Sequence, residues 1–398
     1  MRTHALLAAA AVAALAAPLV QAEDLPAPRL IAPRAGAERK AALDRYGGNA
    51  ATEAAVVAGL DWLARHRDRD GSWDADGFPD RCAQGGAACD GIGKGQHGEP
   101  MPCPFDDAIS ALAVLAFLGH GHLPDPEGDE TAQWLDEALQ NLESPRTSWG
   151  FALATEALAE AEALERKGRW RDAVSRNAER LIAGREPDGA WGYATGMRGG
   201  SDVPYTAFVV QALVAARDAG VELPADLAPG VDRFLGELEE EKGKLAYLED
   251  GRRYGYTPTA ANAHCAAAIR ELLEVGTKKP RHRAHLALVS GDKPVWKIEF
   301  KTLDVPGRGK IPVQIGSLSL YNWYYGTVAS FQAGSGTWSN WFGKAKSALL
   351  PHQRKDGCAK GSWDPIGTYE KQTGGRVFAT ALAVLILEQP YRHRKLGS

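Results

Sequence analysis

The sequence runs to 398 residues, with 46 Lys and Arg against 50 Asp and Glu, a formal net charge of −4 and a hydrophobic share of 44%. That length is enough to bury a full core in one large domain or two average ones. The slightly acidic balance excludes a nucleic-acid partner, because neutralising phosphates requires a net basic face.

The chain opens with Arg2 and His4, an Ala/Leu stretch from Ala5 to Ala17, then Pro18 and the small-residue site Val20-Gln21-Ala22 before Glu23. This pattern reads as a secretory signal peptide, 1–22, cut after Ala22. Its apolar run is shorter than the roughly 20 residues a membrane-spanning helix needs, and no cysteine follows the cut to carry a lipid. The expectation is a periplasmic or secreted protein with no transmembrane segment in the mature chain. Removing one Arg and no acid leaves 45 basic against 50 acidic residues, a formal charge of −5. Residues 23–50 are expected to form an extended N-terminal segment.

From there an internal repeat organises the chain. An amphipathic segment, Thr52 to His66, ends at Asp70-Gly71-Ser72-Trp73, and a second, Asp106 to Leu118, follows a Cys-rich insertion. Further pairs are Glu130 to Leu142 with Phe151 to Leu164, Trp170 to Ala183 with Tyr205 to Ala219, and Ala225 to Glu239 with Ala260 to Leu273. Their turns carry Ser148-Trp149-Gly150, Asp188-Gly189-Ala190-Trp191 and Tyr254-Gly255-Tyr256. A fifth pair, Arg281 to Leu288 and Leu320 to Gln332, encloses an alternating β-branched stretch from Val295 to Ile315 that predicts a small hairpin. A sixth pair joins Trp338–Gln353 to Arg376–Leu387 through Gly361-Ser362-Trp363.

First helices keep a polar stripe, whereas second helices such as Ala111 to Leu118 are apolar nearly all round and must be buried. The fold class that follows is all-α: an α/α toroid of six helical hairpins, second helices forming the inner ring and first helices the outer one. Closing the ring removes the exposed ends an open array must cap. One toroid domain is expected over 51–391, followed by a solvated basic tail, 392–398.

Cys82, Cys89 and Cys103 fall in a Gly-rich stretch with little apolar side chain to hold it. Export permits disulfides, so a single bridge is expected, Cys82 to Cys103 or Cys82 to Cys89, the spacing leaving connectivity open. A zinc ribbon fits less well, since these cysteines are widely spaced and His97 is the only histidine close by. Cys265 lies in a helical pattern and Cys358 in a turn, and the odd total leaves a thiol unpaired. The carboxylates between Asp68 and Gly77 lack the spacing and terminal glutamate of an EF-hand. No metal and no other cofactor is expected.

Gln353, Asp356-Gly357 and Gly361-Ser362-Trp363, echoed at Asp70 to Trp73 and Asp188 to Trp191, resemble the QW repeat of squalene-hopene cyclases. That repeat places the chain, over roughly Thr52 to Tyr391, beside the terpenoid cyclase and protein prenyltransferase superfamily, including prenyltransferase and squalene oxidase repeat proteins. The resemblance implies the toroid; activity must be argued from the site. Cyclases of this kind protonate a double bond with an Asp-x-Asp-Asp-Thr-Ala motif. The matching stretch is Asp202-Val203-Pro204-Tyr205-Thr206-Ala207, where Pro204 and Tyr205 stand in place of two acids. Prenyltransferase β subunits hold zinc through an Asp-x-Cys pair and a distant His, and the corresponding inner-helix start in this chain, Tyr321-Asn322-Trp323-Tyr324-Tyr325, carries no such pair.

What remains is Asp106-Asp107 at an inner-helix start, read either as helix caps or as catalytic acids. Asp202, Tyr205, Tyr254, Asn262, His264, Tyr321, Trp323, Tyr324 and Arg376 are expected to ring the same mouth as ligand-binding residues. The favoured reading is a cell-envelope binding or scaffold protein with a central cavity, its candidate ligands an isoprenoid lipid or an envelope polysaccharide. One alternative is a divergent isoprenoid cyclase or transferase using Asp106 or Asp107. The other is a polysaccharide lyase-like enzyme built on Tyr205, Asn262, His264 and Arg376.

Overall fold

The computed structural model describes residues 26–82, 87–93, 103–193, 200–246, 260–298, 300–305, 309–314 and 319–397. The signal-peptide assignment and Tyr254 lie outside them. In chain order the helices are α1 (Gly36–Arg45), α2 (Ala50–Arg65), α3 (Asp106–His120), α4 (Glu130–Asn141), α5 (Ser148–Glu165), α6 (Arg171–Ala183) and α7 (Val203–Asp218). They continue as α8 (Leu227–Glu237), α9 (Ala260–Leu272), α10 (Pro280–Gly291), α11 (Leu320–Ala333), α12 (Ser335–Leu349), α13 (Thr368–Thr373) and α14 (Gly375–Arg392). Between α10 and α11 the expected hairpin pairs β1 (Phe300–Val305) with β2 (Gly309–Gln314), antiparallel, with Leu303 opposite Ile311.

Local chemistry fixes many of the starts. Asn49, Asp129, Thr147, Asp202 and Ser319 each accept a backbone N–H of the first turn of α2, α4, α5, α7 and α11. These contacts satisfy donors that have no partner within the helix. Thr52 completes a capping box on α2.

Six helices make the inner ring: α3 contacts α5, α5 contacts α7, and so on through α9 and α11 to α14, which returns to α3. Helices α2, α4, α6, α8, α10 and α12 stand outside. The burial follows: every residue of α14 is buried, whereas α6 buries only Ala173, Val174, Asn177, Ala178 and Leu181. The fold is thus the α/α toroid of six hairpins that periodicity predicts.

The turn tryptophans tie the two layers together by one repeated device. Trp73, Trp191 and Trp363 donate their indole N–H to the carbonyls of Leu63, Leu181 and Leu349, in the last turn of the preceding outer helix. Their backbone N–H groups donate to hydroxyls of Ser110, Thr206 and Thr380 on the following inner helix. Gly71, Gly189 and Gly361, at φ +82°, +98° and +96°, lie against the backbone of the next outer helix: α4, α8 and, closing the circle, α2. A side chain there has neither the conformation nor the space.

Three expectations are corrected. Residues 23–50 are not wholly extended, because the Ala- and charge-rich segment Gly36–Arg45 has good helix formers and folds as α1. The basic end is not wholly solvated: Arg392 and His393 are buried, since carboxylates inside the ring reach them. Trp149 sits within α5 and not in the turn before it, because Thr147 caps the helix three residues earlier than periodicity suggests.

Candidate functional site

The inner helices start at one face, and aromatic side chains close it. Trp149 of α5 packs on Phe208 of α7 (6.1 Å between ring centroids) and Tyr369 of α13 (5.9 Å), and Phe208 packs on Tyr321 (5.3 Å) and Tyr325 (5.6 Å) of α11. Helix α9 lies between α7 and α11 in the ring, so these contacts cross the axis. The Tyr321 hydroxyl donates to the Pro204 carbonyl on the far side at 3.0 Å. The expected central cavity is therefore filled at this level by Tyr321, which was expected to line it, together with Trp149, Phe208, Tyr325 and Tyr369, which were not.

Of the expected mouth residues, Asp202, Tyr205 and Tyr321 come together there. Asp202 caps α7 through the Tyr205 N–H (2.7 Å), and burial raises its carboxyl to about 7. Tyr205 donates its hydroxyl to the Ser148 carbonyl at 3.0 Å, and burial lifts that hydroxyl above its usual range. The other described ones lie elsewhere. Asn262 donates to the Leu245 carbonyl. His264 turns outward onto Trp341, with Nδ1 on the Asn322 carbonyl at 3.1 Å and Nε2 3.6 Å from Asp292, and burial lowers its pKa. Trp323 faces Trp296 in the outer layer. Arg376 is a buried tie, bonded to Asp90, Ser362 and Asp364. Tyr205, Asn262, His264 and Arg376 thus answer to four separate sets of partners.

Tyr324 lies farther down the axis, in a cluster that sequence reasoning missed. Arg392 of α14 donates to Tyr324 Oη (2.6 Å), Glu156 (2.7 Å) and Glu160 (2.7 Å) of α5, and Arg34 pairs with Glu160 at 2.6 Å. Gln211 of α7 bonds both Glu156 and Tyr324. Burial raises both carboxyls, but at Glu160 the two guanidiniums outweigh it and hold the group well below its usual range; Glu156 ends at about 7. The signal was available: two glutamates one turn apart in a helix apolar all round require a buried cation.

The acids at the start of α3 divide by environment. Asp107 is saturated, accepting from the backbone N–H of Ala108, Arg146 and Thr147 and from the Thr147 hydroxyl. It fastens the α4–α5 connection. Among the described residues Asp106 accepts only from Ala75 N–H (3.0 Å). Burial, offset by that bond and reinforced by Asp74, Asp76 and Asp107, raises its carboxyl to about 6. It lies in a cleft of about 430 Å³ lined also by Asp68, Asp70, Ser72, Asn141, Ser144 and Arg146. Asp74, Asp76 and Asp106 bring oxygens within 4.8 Å of one another, and Asp74 already accepts from the Asp76 and Gly77 amides.

The expected disulfide does not form. All five cysteines are free thiols, because Cys82 and Cys89 gather on His66 with Cys358 from the sixth repeat, while Cys103 sits apart against the Thr373 carbonyl.

No family model matches the chain, and no curated protein matches it. Solved structures do. An inactive variant of the GH76A α-1,6-mannanase of Salegentibacter sp. HEL1_6, in complex with α-1,6-mannotriose, is similar at 10% identity, over 85% of this chain and 99% of that one, with a TM-score of 0.55. The type II terpene cyclase MstE of Scytonema is similar at 14% identity (85% and 98% covered, TM-score 0.48), as is an α-amylase of Clostridium perfringens at 12% (85% and 98%, TM-score 0.48). At such identities the mannanase likeness shows the toroid fold alone.

Proposed function

We propose that this chain is an exported binding or scaffold protein of the cell envelope, a squalene-cyclase-like repeat protein whose ligand is a hydroxyl-rich molecule of the envelope-glycan class. The observation that carries this reading is the filled axis. Among the described residues, side chains from α5, α7, α11 and α14 meet across it at two levels, which leaves no continuous tunnel between them for an isoprenoid chain. Ligand space lies instead in the rim cleft beside α3, whose lining of carboxylates, hydroxyls, Asn141 and Arg146 suits sugar hydroxyls. Export rests on the Arg2 to Ala22 leader.

A second reading keeps the cleft and makes Asp106 an acid or base, since a carboxyl near 6 is tuned for proton transfer close to neutral pH. It needs a second carboxylate, for which Asp74, already holding the Asp76 and Gly77 amides through Oδ1, is the neighbour; Asp107 is spent on the α4–α5 connection.

Both are tested by titrating the mature chain with α-1,6-mannotriose and longer envelope glycans, followed by native mass spectrometry after prolonged incubation. Intact complexes, weakened at least tenfold in Asp106→Asn and Asn141→Ala, are expected. Shortened glycans that disappear in Asp106→Asn would replace the binding reading with the hydrolytic one. Uptake of prenyl lipids with no glycan bound would discard both.

A further inference from the structure

His66 ends α2, and its ring is locked. It stacks on Trp62 (4.3 Å between centroids, 22°) with Phe78 edge-on at 6.0 Å, and its Nδ1 lies 2.8 Å from the Trp62 carbonyl. A carbonyl only accepts, so Nδ1 carries the proton and Nε2 presents a lone pair. Around that lone pair stand three sulfurs: Cys358 Sγ at 3.3 Å, Cys89 Sγ at 3.5 Å and Cys82 Sγ at 3.6 Å. All four donor atoms lie within 4.8 Å of one another.

One disulfide among these cysteines pairs two sulfurs and strands the third, which does not account for three thiols converging on one imidazole nitrogen. A tetrahedral zinc ion does. Zn–S bonds of about 2.3 Å and Zn–N bonds of about 2.0 Å set the N···S edges of the tetrahedron at about 3.5 Å. The surroundings match a thiolate-rich centre as well. The Cys89 amide donates to Cys82 Sγ at 3.2 Å, and the His66 carbonyl partner supplies the orienting contact that metal-bound histidines ordinarily make. Arg65 donates to the carbonyls of Cys358 (3.4 Å) and Lys360 (3.0 Å), placing a cation beside a centre whose formal charge, one Zn²⁺ against three thiolates, is −1.

We propose that His66, Cys82, Cys89 and Cys358 bind one structural Zn²⁺ that locks the seam of the toroid. On binding, each thiol releases its proton to solvent and each sulfur donates an electron pair to the metal, with the His66 Nε2 lone pair as the fourth. The protein fills all four positions, which is the arrangement of a structural centre and leaves no place for substrate or water. Its location gives it work to do. His66 belongs to the first repeat, Cys82 and Cys89 to the Gly-rich excursion after it, and Cys358 to the sixth repeat, whose Gly361 abuts α2. The ion joins the last hairpin to the first and fastens a segment with little apolar side chain of its own.

The test uses the full mature chain purified without chelators. Elemental analysis is expected to find one zinc per chain, retained in Cys103→Ser and Cys265→Ser and lost in Cys89→Ser and Cys358→Ser. Should those last two fail to fold, cobalt titration of zinc-stripped wild-type protein gives an independent reading. Intense tetrahedral d–d bands with thiolate-to-cobalt charge transfer, saturating at one equivalent and displaced by zinc, are expected. The proposal is overturned if reduced protein takes up neither metal, if native protein carries a disulfide between any two of Cys82, Cys89 and Cys358, or if folded Cys358→Ser keeps its zinc.

Discussion

Glu370 accepts the Leu320 amide with one carboxylate oxygen at 2.7 Å, is 1% exposed, and has its carboxyl raised to about 7 by burial. An unfolded glutamate titrates near 4.3. Because the folded value is the higher one, the native state holds a proton that the unfolded chain has released. Stability from this group is complete below about pH 4 and is lost as pH rises through about 7, to a total on the order of 3 kcal/mol. Glu370→Gln keeps a carbonyl for the Leu320 amide and removes the titration. The variant is expected to match wild type in urea unfolding at pH 4 and to exceed it by roughly that amount at pH 8. Equal midpoints at pH 8 would show that Glu370 ionises freely. Asp202, raised to about 7 by burial, adds a slope of the same sign.

The Gly-x-Trp turns show what a repeated sequence element does for the fold. Gly361 has φ +96°, and a methyl group on it would land on the Ala58 carbonyl of α2. Left-handed backbone costs an L-residue about 1–2 kcal/mol, and overpacking against main chain adds about 1–3 kcal/mol. Gly361→Ala is therefore expected to cost at least about 2 kcal/mol in chemical denaturation. Gly357→Ala, with positive φ but open space around it, is expected to lose the backbone part alone. Similar losses at both sites would mean that contact across the seam contributes little. These turns also explain why the architecture was legible: Gly and Trp recur at one place in three of the six units, and apolar periodicity separates inner from outer helices before any contact is known. The site was less legible. Helical position places Tyr205 and Tyr321 at the mouth, but not the rotation that turns His264 and Trp323 outward. The thiol cluster was invisible for a different reason: Cys358 lies 292 residues from His66, and only ring closure brings them together.

Across the whole molecule, the axis is held by opposite charge where the sequence suggested a hollow. Arg392 reaches from the last inner helix across to Glu156 and Glu160, and Arg34, from the arm before α1, meets Glu160 and donates to the Arg392 carbonyl. The arm is pinned beside it, with the Leu30 and Ile31 amides on Asp218 and Ile31 bridged to His393. A buried pair offers modest net stability compared with an apolar substitute, yet removing one partner alone strands a charge at about 3–5 kcal/mol. Arg392→Met should incur that loss at pH 7, because Glu160 then keeps Arg34 as its one guanidinium, beside His393 at 3.6 Å, and Glu156 keeps Gln211. The loss should shrink toward pH 4, where the stranded carboxyls accept protons and cease to be charges. Adding Glu156→Gln to Arg392→Met should restore at least half of it at pH 7, since the remaining Arg34–Glu160 pair is balanced and the introduced amide can still meet Gln211. Urea unfolding of the three proteins at both pH values measures each term. A cost below about 1 kcal/mol for Arg392→Met, or one independent of pH, would mean that water reaches the axis and that the toroid is open after all.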